Sequence, residues 1–348
     1  MKALTYHAAK DIRFESIPDA KITAPHAAIV KVTACAICGS DLHIYQGHGF
    51  SDDVGFCVGH EAVGEIVEIG SSVEGLRIGD QVMISAAVGC GLCAPCRAGD
   101  CTRCERDATA CYGLSHKLPG CQAEAVMVPH ADQNAALIPE GLSHDQALML
   151  TDNLPTAYLG ALNANIRPGS IVAVVGLGPI GLMAVEIAFT LGAARVYAVD
   201  LVPERRTMAE RLGAIALPPG DERAVLKELT KGRLAESVIE AVGADATLKL
   251  AISLAGKQAT VSTIGVNQSK QFPFPMALAF NKGLTFRTSL CSVVKHWQEL
   301  VPMVRSGRLK PQQFISHRMP LSEGAQAYAL FNDRRDGEIG RASCRERV

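Results

Sequence analysis

Four closely spaced cysteines constrain the fold of this chain more than any other feature of its sequence. They are Cys90, Cys93, Cys96 and Cys104, in the pattern C-x2-C-x2-C-x7-C. Four thiolates at such spacings can close a tetrahedron around Zn²⁺, at about 2.3 Å each. A zinc ion with four cysteine ligands has no open coordination position, so this site would stabilise a loop and take no part in catalysis. A catalytic metal would have to lie elsewhere.

The length and charge of the chain limit its organisation and its partners. Its 348 residues exceed the size at which one hydrophobic core stops growing, roughly 250–300 residues, so we expect two domains. Lys and Arg number 34 and Asp and Glu 35, which gives a net charge of −1. A chain with almost no net charge is not attracted to nucleic acid or to a membrane surface, so we expect neither as a partner.

The twelve cysteines raise the question of disulfides. A small secreted protein would use them in that way, but this chain is long and its first residues contain no apolar stretch of signal-peptide length. The longest apolar segment, residues 171–189, is broken by glycines and a proline, so it does not predict a membrane span. We therefore expect a cytoplasmic protein with metal-bound and free thiols.

Two sequence patterns divide the chain. Up to about residue 150 it contains short β-rich segments separated by turns. From Ile171 onward apolar strands alternate with helices, and the unbroken apolar run Ile171–Val175 is typical of a parallel strand buried on both faces. Strands joined by helical crossovers predict an α/β fold with a doubly wound parallel sheet. The predicted strands are Ile171–Val175, Arg195–Val199, 215–217, 238–240, 259–264 and 284–287.

A Gly-x-Gly-x-x-Gly motif follows the first of these strands and opens a predicted helix. Gly176 permits a tight turn, Gly178 lets a pyrophosphate approach the backbone, and Gly181 allows close packing of helix on strand. The alternative is a structural turn that binds nothing. Asp200, 19 positions after Gly181 at the end of the next strand, favours a dinucleotide site, because an acid at about that spacing binds the adenosine ribose.

Asp200 also bears on the choice of dinucleotide. Its carboxylate can accept hydrogen bonds from both ribose hydroxyls and would repel a 2′-phosphate. Arg205 and Arg206 support the opposite interpretation, since either could bind that phosphate. We interpret both arginines as charges on a helix surface, and the sequence therefore favours NAD over NADP.

Three short motifs precede the glycine turn. They are Cys38-Gly39-Ser40-Asp41-Leu42-His43, Gly59-His60-Glu61-Ala62-Val63-Gly64 and Gly79-Asp80-Gln81-Val82. Together with the cysteine run and the glycine turn they resemble the zinc-dependent alcohol dehydrogenases of the medium-chain dehydrogenase/reductase family, over residues 1–337. The resemblance implies a Rossmann domain for NAD at 155–293 and a mostly β, GroES-like catalytic domain made of 1–154 and 294–348.

The resemblance also implies a catalytic zinc bound by Cys38, His60 and a third ligand just before the cofactor domain. Asp152 is the metal-binding side chain at that place, as in bacterial alcohol dehydrogenases and the formaldehyde-dehydrogenase-like branch. We further expect Glu61 to approach the metal transiently and Asp41 to orient His60. Without the family, Cys38 and His60 would be interpreted as a buried thiol and a core imidazole.

A proton relay follows from the same resemblance. Zinc lowers the pKa of the substrate hydroxyl, and hydride passes from carbon to the nicotinamide. Ser40 would pass the proton to the nicotinamide ribose and His43 would carry it to solvent, a role that suits an imidazole with a pKa near 6.5. The alternative makes Ser40 a helix N-cap and His43 an exposed helix residue.

Other expected cofactor contacts carry less weight. By resemblance, Thr156 lies beside the nicotinamide and Arg205 near the adenosine ribose. The carboxyl ends of strands line the ligand cleft of an open α/β sheet, which suggests further contacts. These, with the remaining residues of the glycine turn, are Pro179, Ile180, Val242, Gly243, Gly265 and Val266.

These observations predict an NAD-dependent zinc alcohol dehydrogenase with one catalytic and one structural zinc per chain, acting on small or medium alcohols and aldehydes. A polyol or sugar dehydrogenase and a formaldehyde dehydrogenase or dismutase are alternatives on the same scaffold. A remote alternative is a non-catalytic zinc- or nucleotide-binding protein. We expect a homodimer or homotetramer formed through an edge strand of the cofactor domain.

The end of the sequence departs from the resemblance. After Gly337 the family would continue with an apolar strand, whereas residues 338–348 show no alternation and contain three arginines. We interpret 338–348 as a non-native tail and expect the first domain to lose a strand. Gly340 stands where the family often has a lysine near the cofactor pyrophosphate.

Overall fold

The computed structural model describes residues 1–106, 110–333 and 342–345. The chain divides into two compact units. The first unit comprises Met1–Pro155 and Cys291–Val348, and the second comprises Thr156–Leu290. The boundaries expected for two independently folding domains, 1–154 with 294–348 and 155–293, stay a prediction.

Strands occur in both units, within the described part of the chain. In chain order they are β1 (Lys2–Ala8), β2 (Asp11–Ser16), β3 (Ala28–Ala36), β4 (Phe56–Cys57), β5 (Glu61–Ile69), β6 (Gln81–Ile84), β7 (Ala87–Val88), β8 (Ala110–Cys111), β9 (Ala125–Val128), β10 (Ala135–Leu137), β11 (Ile171–Val175), β12 (Arg195–Val199), β13 (Ile215–Ala216), β14 (Ala235–Glu240), β15 (Ala255–Thr263), β16 (Thr285–Thr288), β17 (His317–Pro320) and β18 (Ala342–Arg345).

The helices are mostly short. In chain order they are α1 (Gly39–Tyr45), α2 (Ala94–Arg97), α3 (Ala131–Asn134), α4 (His144–Met149), α5 (Asn153–Asn163), α6 (Pro179–Thr190), α7 (Pro203–Arg211), α8 (Glu222–Leu229), α9 (Asp245–Leu254), α10 (Met276–Lys282), α11 (Val293–Arg305) and α12 (Gly324–Asp333). Among the described residues, none of these helices is both long and apolar enough to cross a membrane.

The second unit contains the predicted doubly wound sheet. Its strand order is β13-β12-β11-β14-β15-β16, and each neighbouring pair is parallel. All five residues of β11 are buried, as its unbroken apolar run predicts for a central strand covered on both faces. The order reverses between β11 and β14, and the carboxyl ends of both strands meet there. The predicted α/β class is confirmed.

The first unit is mostly β, as expected for its GroES-like part. Its largest sheet has the order β10-β6-β5-β3-β18-β17, and β9 also pairs with β3. The central strands β3 and β5 are antiparallel, with Ala36 opposite Glu61. Because β3 ends just before Cys38 and β5 begins just after His60, this register brings the two expected metal ligands to the same edge of the sheet.

The expectation that the first unit lacks a terminal strand is wrong. Backbone 342–345 forms β18, which pairs in parallel with β17 and antiparallel with β3. Its missing alternation does not prevent this, because backbone N–H and C=O groups make the ladder whatever side chains they carry. Gly340 lies outside the described residues, and the non-native origin of 338–348 stays a prediction.

Candidate metal centres and nucleotide site

The first candidate metal centre is built from three short segments of the first unit. Cys38 lies between β3 and α1 and is the extended N-cap residue of that helix. His60 directly precedes β5, and the positive φ of Gly59 (86°) turns the chain before it. A Cβ at Gly59 would lie 2.4 Å from Gln122, so this turn admits glycine alone. Asp152 stands just before α5, with Thr151 buried beside it.

The ligand atoms of these residues are close enough to share one metal ion. Cys38 Sγ lies 3.8 Å from Asp152 Oδ2, and His60 Nε2 lies 3.5 Å from the same oxygen. Neighbouring ligands of a tetrahedral zinc are about 3.3–3.8 Å apart, given the usual zinc–ligand bond lengths. Glu61 also offers an oxygen, and all four ligand atoms lie within 4.8 Å of one another.

Asp41 supports this cluster on two sides. Its Oδ2 accepts the backbone N–H of Cys38 at 2.8 Å, which closes the first turn of α1. Its Oδ1 lies 3.2 Å from His60 Nδ1 and forms an ion pair with the protonated ring. Asp41 is buried, so its position is fixed. The contact leaves Nε2 of His60 facing the other ligands, as the expected orienting role requires.

The surroundings of Cys38 and His60 raise the pKa of both groups. Burial acts on the thiol. It raises the pKa of Cys38. Burial opposes the charged form of His60, but the carboxylate of Asp41 and a hydrogen bond to Asp152 outweigh this and raise its pKa well above the usual value. Metal ligands must be deprotonated, so a cation would displace both protons. The donor set of one thiol, one imidazole and one carboxylate fits Zn²⁺.

The structure places the two expected relay residues on α1. Ser40 Oγ lies 3.3 Å from His60 Nε2, beside the metal donors. The alternative interpretation of Ser40 as the N-cap is wrong, because Cys38 occupies that position. His43 is partly buried, with its ring 6.5 Å from that of Phe50. Burial, with a smaller effect of His48, lowers the pKa of His43.

The second candidate metal centre is the cysteine run. Its four sulfur atoms lie within 4.8 Å of one another, and those of Cys93 and Cys104 are 3.9 Å apart, near the roughly 3.8 Å of a four-thiolate zinc site. The Glu105 backbone N–H donates to Cys93 Sγ and lowers the pKa of Cys93, whereas burial raises the pKa of Cys96 to about 12. Cys96 would therefore need a bound cation to exist as a thiolate at neutral pH.

Cys101 lies inside the same loop but outside the cluster. Its sulfur accepts a hydrogen bond from Ser292 Oγ at 3.1 Å and approaches the carbonyl oxygen of Ala87 at 3.7 Å. Burial raises the pKa of this thiol. The structure therefore groups Cys104, and not Cys101, with the other three cysteines.

In the second unit the glycine turn joins β11 to α6. Gly176 has a φ of 90°, and a Cβ there would lie 2.3 Å from Val242. A Cβ at Gly181 would lie 1.8 Å from the carbonyl oxygen of Gly176, so the strand and helix pack without space for a side chain. At Gly178, the N-cap residue of α6, the nearest protein atom would be 4.0 Å away. That position is open toward whatever binds the helix N-terminus.

Asp200 lies at the carboxyl end of β12 and faces this turn. Its Oδ2 accepts the N–H of Leu177 at 2.7 Å, and its Oδ1 accepts that of Val202 at 2.8 Å. Arg205 is buried, 3.9 Å from Asp200 Oδ2, so its interpretation as a surface charge is wrong. The carboxylate compensates its charge. Arg206 donates to the carbonyl oxygens of Asp200 and Leu201.

The other expected cofactor residues lie mostly at neighbouring strand ends. A Cβ at Gly265 would lie 2.1 Å from the Gly243 nitrogen, and one at Gly243 would lie 2.3 Å from the Val266 oxygen, so the loops after β14 and β15 are in close contact. Val242 packs toward Gly176. Pro179 and Ile180 begin α6. Thr156 lies in α5, apart from this group in the chain.

Two buried polar residues were missed by sequence reasoning. Asn153 donates to Glu61 Oε1 at 2.7 Å and to Cys38 Sγ at 3.6 Å. Glu240 accepts from the N–H groups of Val242 and Gly243 at 2.9 and 2.8 Å, and so shapes the loop after β14. For Glu240 the signal was a charged residue at the end of an apolar strand, whereas Asn153 stands among polar neighbours and gave no such signal.

Comparisons with known proteins agree with this arrangement. The chain matches the alcohol dehydrogenase GroES-like domain over residues 24–140 and the zinc-binding dehydrogenase domain over 179–306. It is 40% identical, over 97% of its length and 87% of the relative's, to a probable zinc-binding alcohol dehydrogenase of Mycobacterium tuberculosis. A solved alcohol dehydrogenase from Thermus sp. ATN1 has a TM-score of 0.93 and 36% identity, with 100% of both chains covered. Zinc-dependent alcohol dehydrogenase 2 from Streptococcus pneumonia, in its apo form, has a TM-score of 0.92 and 32% identity, with 100% of this chain and 99% of that one covered. The chain therefore belongs to the zinc-dependent alcohol dehydrogenases of the medium-chain dehydrogenase/reductase family.

Proposed function

We propose that this chain transfers a hydride from a primary or secondary alcohol to NAD, reversibly, with a catalytic zinc held by Cys38, His60 and Asp152. The proposal rests on the convergence of the three donor atoms. Asp152 Oδ2 lies 3.5 Å from His60 Nε2 and 3.8 Å from Cys38 Sγ, and Ser40 lies beside them. A zinc ion there would act as a Lewis acid on the oxygen of the alcohol or carbonyl substrate.

The chain's own residues would handle the proton of the alcohol. Ser40 Oγ accepts it at the position beside His60 Nε2 and donates its own proton onward toward the ribose of the nicotinamide. His43 delivers it to solvent, since a partly buried imidazole of lowered pKa is neutral and able to accept at neutral pH. Asp41 holds the ring of His60 with Nε2 toward the metal donors.

The proposed NAD site lies at the glycine turn of the second unit. The N-terminus of α6, open at Gly178, would bind the pyrophosphate. Asp200 would accept from the adenosine ribose, and its negative charge favours NAD over NADP. Arg205 would contribute to the same end of the site. Val242, Gly265 and Val266 would contact the middle of the dinucleotide and Thr156 its nicotinamide.

The four-cysteine cluster would hold a second, structural zinc. Cys90, Cys93, Cys96 and Cys104 would fill its coordination sphere, so this ion would fix the loop between β7 and β8 and bind no substrate.

We also propose a homodimer or homotetramer formed through the edge of the six-stranded sheet. β16 is the last strand of that sheet, and its side chains are all exposed. Met276, Phe280 and Leu290 nearby in the sequence are 69%, 82% and 68% exposed. An unpaired edge beside exposed apolar side chains favours pairing with a second copy.

The experiment that tests the proposed function measures zinc per chain and alcohol-dependent NAD reduction, in the wild type and in Asp152→Ala. Two zinc ions falling to one, with activity lost, would support the catalytic site. Asp52→Ala, which changes an exposed aspartate, is the matched control and should keep both ions. One zinc in both wild type and Asp152→Ala would leave only the structural site and refute the dehydrogenase mechanism.

A further inference from the structure

The candidate catalytic centre contains one carboxylate too many for an open zinc site. Oxygens of Glu61 and Asp152 both lie within 4.8 Å of Cys38 Sγ and a ring nitrogen of His60. Four protein ligands would complete the tetrahedron, as in the four-cysteine cluster, and would leave no position for a substrate. A catalytic site therefore needs one of the two carboxylates to be held back.

Asn153 makes the contact that distinguishes the two carboxylates. Its Nδ2 donates to Glu61 Oε1 at 2.7 Å, a short hydrogen bond between fully enclosed groups: Asn153 is 2% exposed and Glu61 0%. Hydrogen bonds to a carboxylate are stronger than neutral ones, and burial strengthens them further. An amide nitrogen carries no lone pair for a metal, so it binds Glu61 without joining the ligand set.

The same amide also faces the thiol. Asn153 Nδ2 lies 3.6 Å from Cys38 Sγ, and N–H groups so placed stabilise a thiolate. Asn153 is the first residue of α5 and directly follows Asp152, so the start of one helix fixes both the ligand and the residue that restrains its competitor. Asp152, by contrast, retains partial exposure, with 18% of its side chain accessible.

We infer that Asn153 is a positioning residue that restrains Glu61, so that this carboxylate approaches the catalytic metal only transiently and takes no permanent place in its coordination sphere. Asp152 is then the ligand, and the fourth position stays open for the substrate oxygen. The inference rests on the proposed function, since it presupposes a metal at Cys38, His60 and Asp152.

The test replaces zinc by cobalt(II) in Asn153→Leu and follows the visible absorption on addition of imidazole. In the wild type, imidazole enters the open position and changes the spectrum. In Asn153→Leu, Glu61 is released to fill that position, so cobalt is retained but the response to imidazole is lost, and kcat/KM for the alcohol falls about 10- to 100-fold. Cobalt in the four-cysteine cluster gives a constant background, because that site has no open position.

Two further variants serve as a control and as a test of the role of Glu61. Asn163→Leu makes the same change at the other end of α5, where the amide contacts Ser289, and should respond to imidazole like the wild type. Combining Asn153→Leu with Glu61→Gln removes the competing carboxylate and should restore the imidazole response. If Asn153→Leu does not fold, Asn153→Ala removes the same donor without added bulk and is read in the same way.

The outcomes separate this inference from the proposed function. An unchanged imidazole response in the Asn153 variant, or loss of its cobalt, would overturn the inference, since Asn153 would then not restrain Glu61 or would only support the ligands. Failure of the double variant to regain the response would overturn it as well. A wild type with cobalt in the four-cysteine cluster alone would instead refute the proposed function.

Discussion

Asp200 accepts the backbone N–H of Leu177 at 2.7 Å, so the acid at the end of β12 is hydrogen-bonded to the turn that would bind the pyrophosphate. Hydrogen bonds to the backbone therefore hold the carboxylate of Asp200 in place beside the turn. Arg205 lies 3.9 Å from the same oxygen, which places a cation beside the acid. In the proposed cofactor site they would form the end where NAD and NADP differ.

Cofactor choice should respond to the charge of Asp200. We expect Asp200→Asn to raise the ratio of kcat/KM for NADP to that for NAD about tenfold, equivalent to about 1.4 kcal/mol, because the repulsion of a 2′-phosphate is removed while Arg205 remains. Asparagine can keep one of the two backbone hydrogen bonds. Steady-state kinetics with both cofactors measure the ratio, and Asp221→Asn, in the same unit, serves as control. An unchanged ratio would contradict the assignment of Asp200.

Alanine substitutions at two glycines of the turn should affect stability and cofactor binding separately. Gly181→Ala should destabilise the protein by about 3 kcal/mol or more, because its Cβ would lie 1.8 Å from the carbonyl oxygen of Gly176. The Cβ of Gly178→Ala would lie 4.0 Å from Arg205 Nη1, an ordinary contact, so this change should leave stability within about 0.5 kcal/mol, yet raise the KM for NAD by about tenfold. Thermal melts and cofactor titration test both. A Gly178→Ala protein with normal NAD affinity would argue against a dinucleotide at this turn.

The relay predicts a particular pH dependence. Burial and His48 lower the pKa of His43, so its neutral, proton-accepting form persists below the usual 6.5, and the acid limb of alcohol oxidation should lie below that pH. His43→Gln should remove this limb and lower kcat by about 100-fold. His48→Gln removes a neighbouring positive charge and should move the limb to higher pH with kcat unchanged at its plateau. A pH profile identical in wild type and His43→Gln would exclude His43 from the relay.

The cysteine loop offers a matched pair of buried thiols. Cys104→Ser should reduce zinc by one ion per chain and lower the free energy of unfolding by about 3 kcal/mol or more, because a structural metal is lost. Cys101→Ser should keep both ions, since the Cys101 sulfur contacts Ser292 and Ala87 instead of the cluster. Metal analysis and chemical unfolding distinguish them. Equal zinc loss in the two variants would place Cys101 among the ligands.

The proposed assembly can be tested at the exposed apolar surface near β16. We expect Phe280→Lys to lower the association constant by about tenfold or more, since a charge would be buried against a second copy. Sedimentation at several concentrations measures the change. Ile78→Lys, at a residue of the first unit that is 65% exposed, is the control. If Phe280→Lys associates like the wild type, the interface does not include α10.

Local apolar pattern predicted the second unit well. β11 and β12 have the predicted bounds, Ile171–Val175 and Arg195–Val199, because strands covered on both faces must be apolar throughout. Strand bounds that depend on pairing with a strand distant in the sequence were harder to predict. β14 begins at Ala235, three residues before the apolar run, because its backbone already pairs with β15 there, across the polar residues Glu236 and Ser237.

The candidate sites divide in the same manner. Cysteine spacing predicted a cluster because the four residues lie within one loop. The restraint of Glu61 by Asn153 and the burial of Arg205 depend on which segments meet in the folded chain, and no local pattern contains that information. β18 was missed because its own residues show no strand pattern. It forms through backbone hydrogen bonds to its partners β17 and β3.

That strand has a consequence for the order of folding. β3 ends just before Cys38, and its pairing partner β18 is synthesised only after the whole second unit has left the ribosome. Until then the end of β3 at Ala34–Ala36 lacks this partner, since β9 pairs only with Ala28–Lys31, and contacts this distant in sequence form slowly. A nascent chain would therefore present a short open edge next to the proposed metal ligand Cys38, and premature release or slow translation would expose that edge to aggregation and that thiol to oxidation.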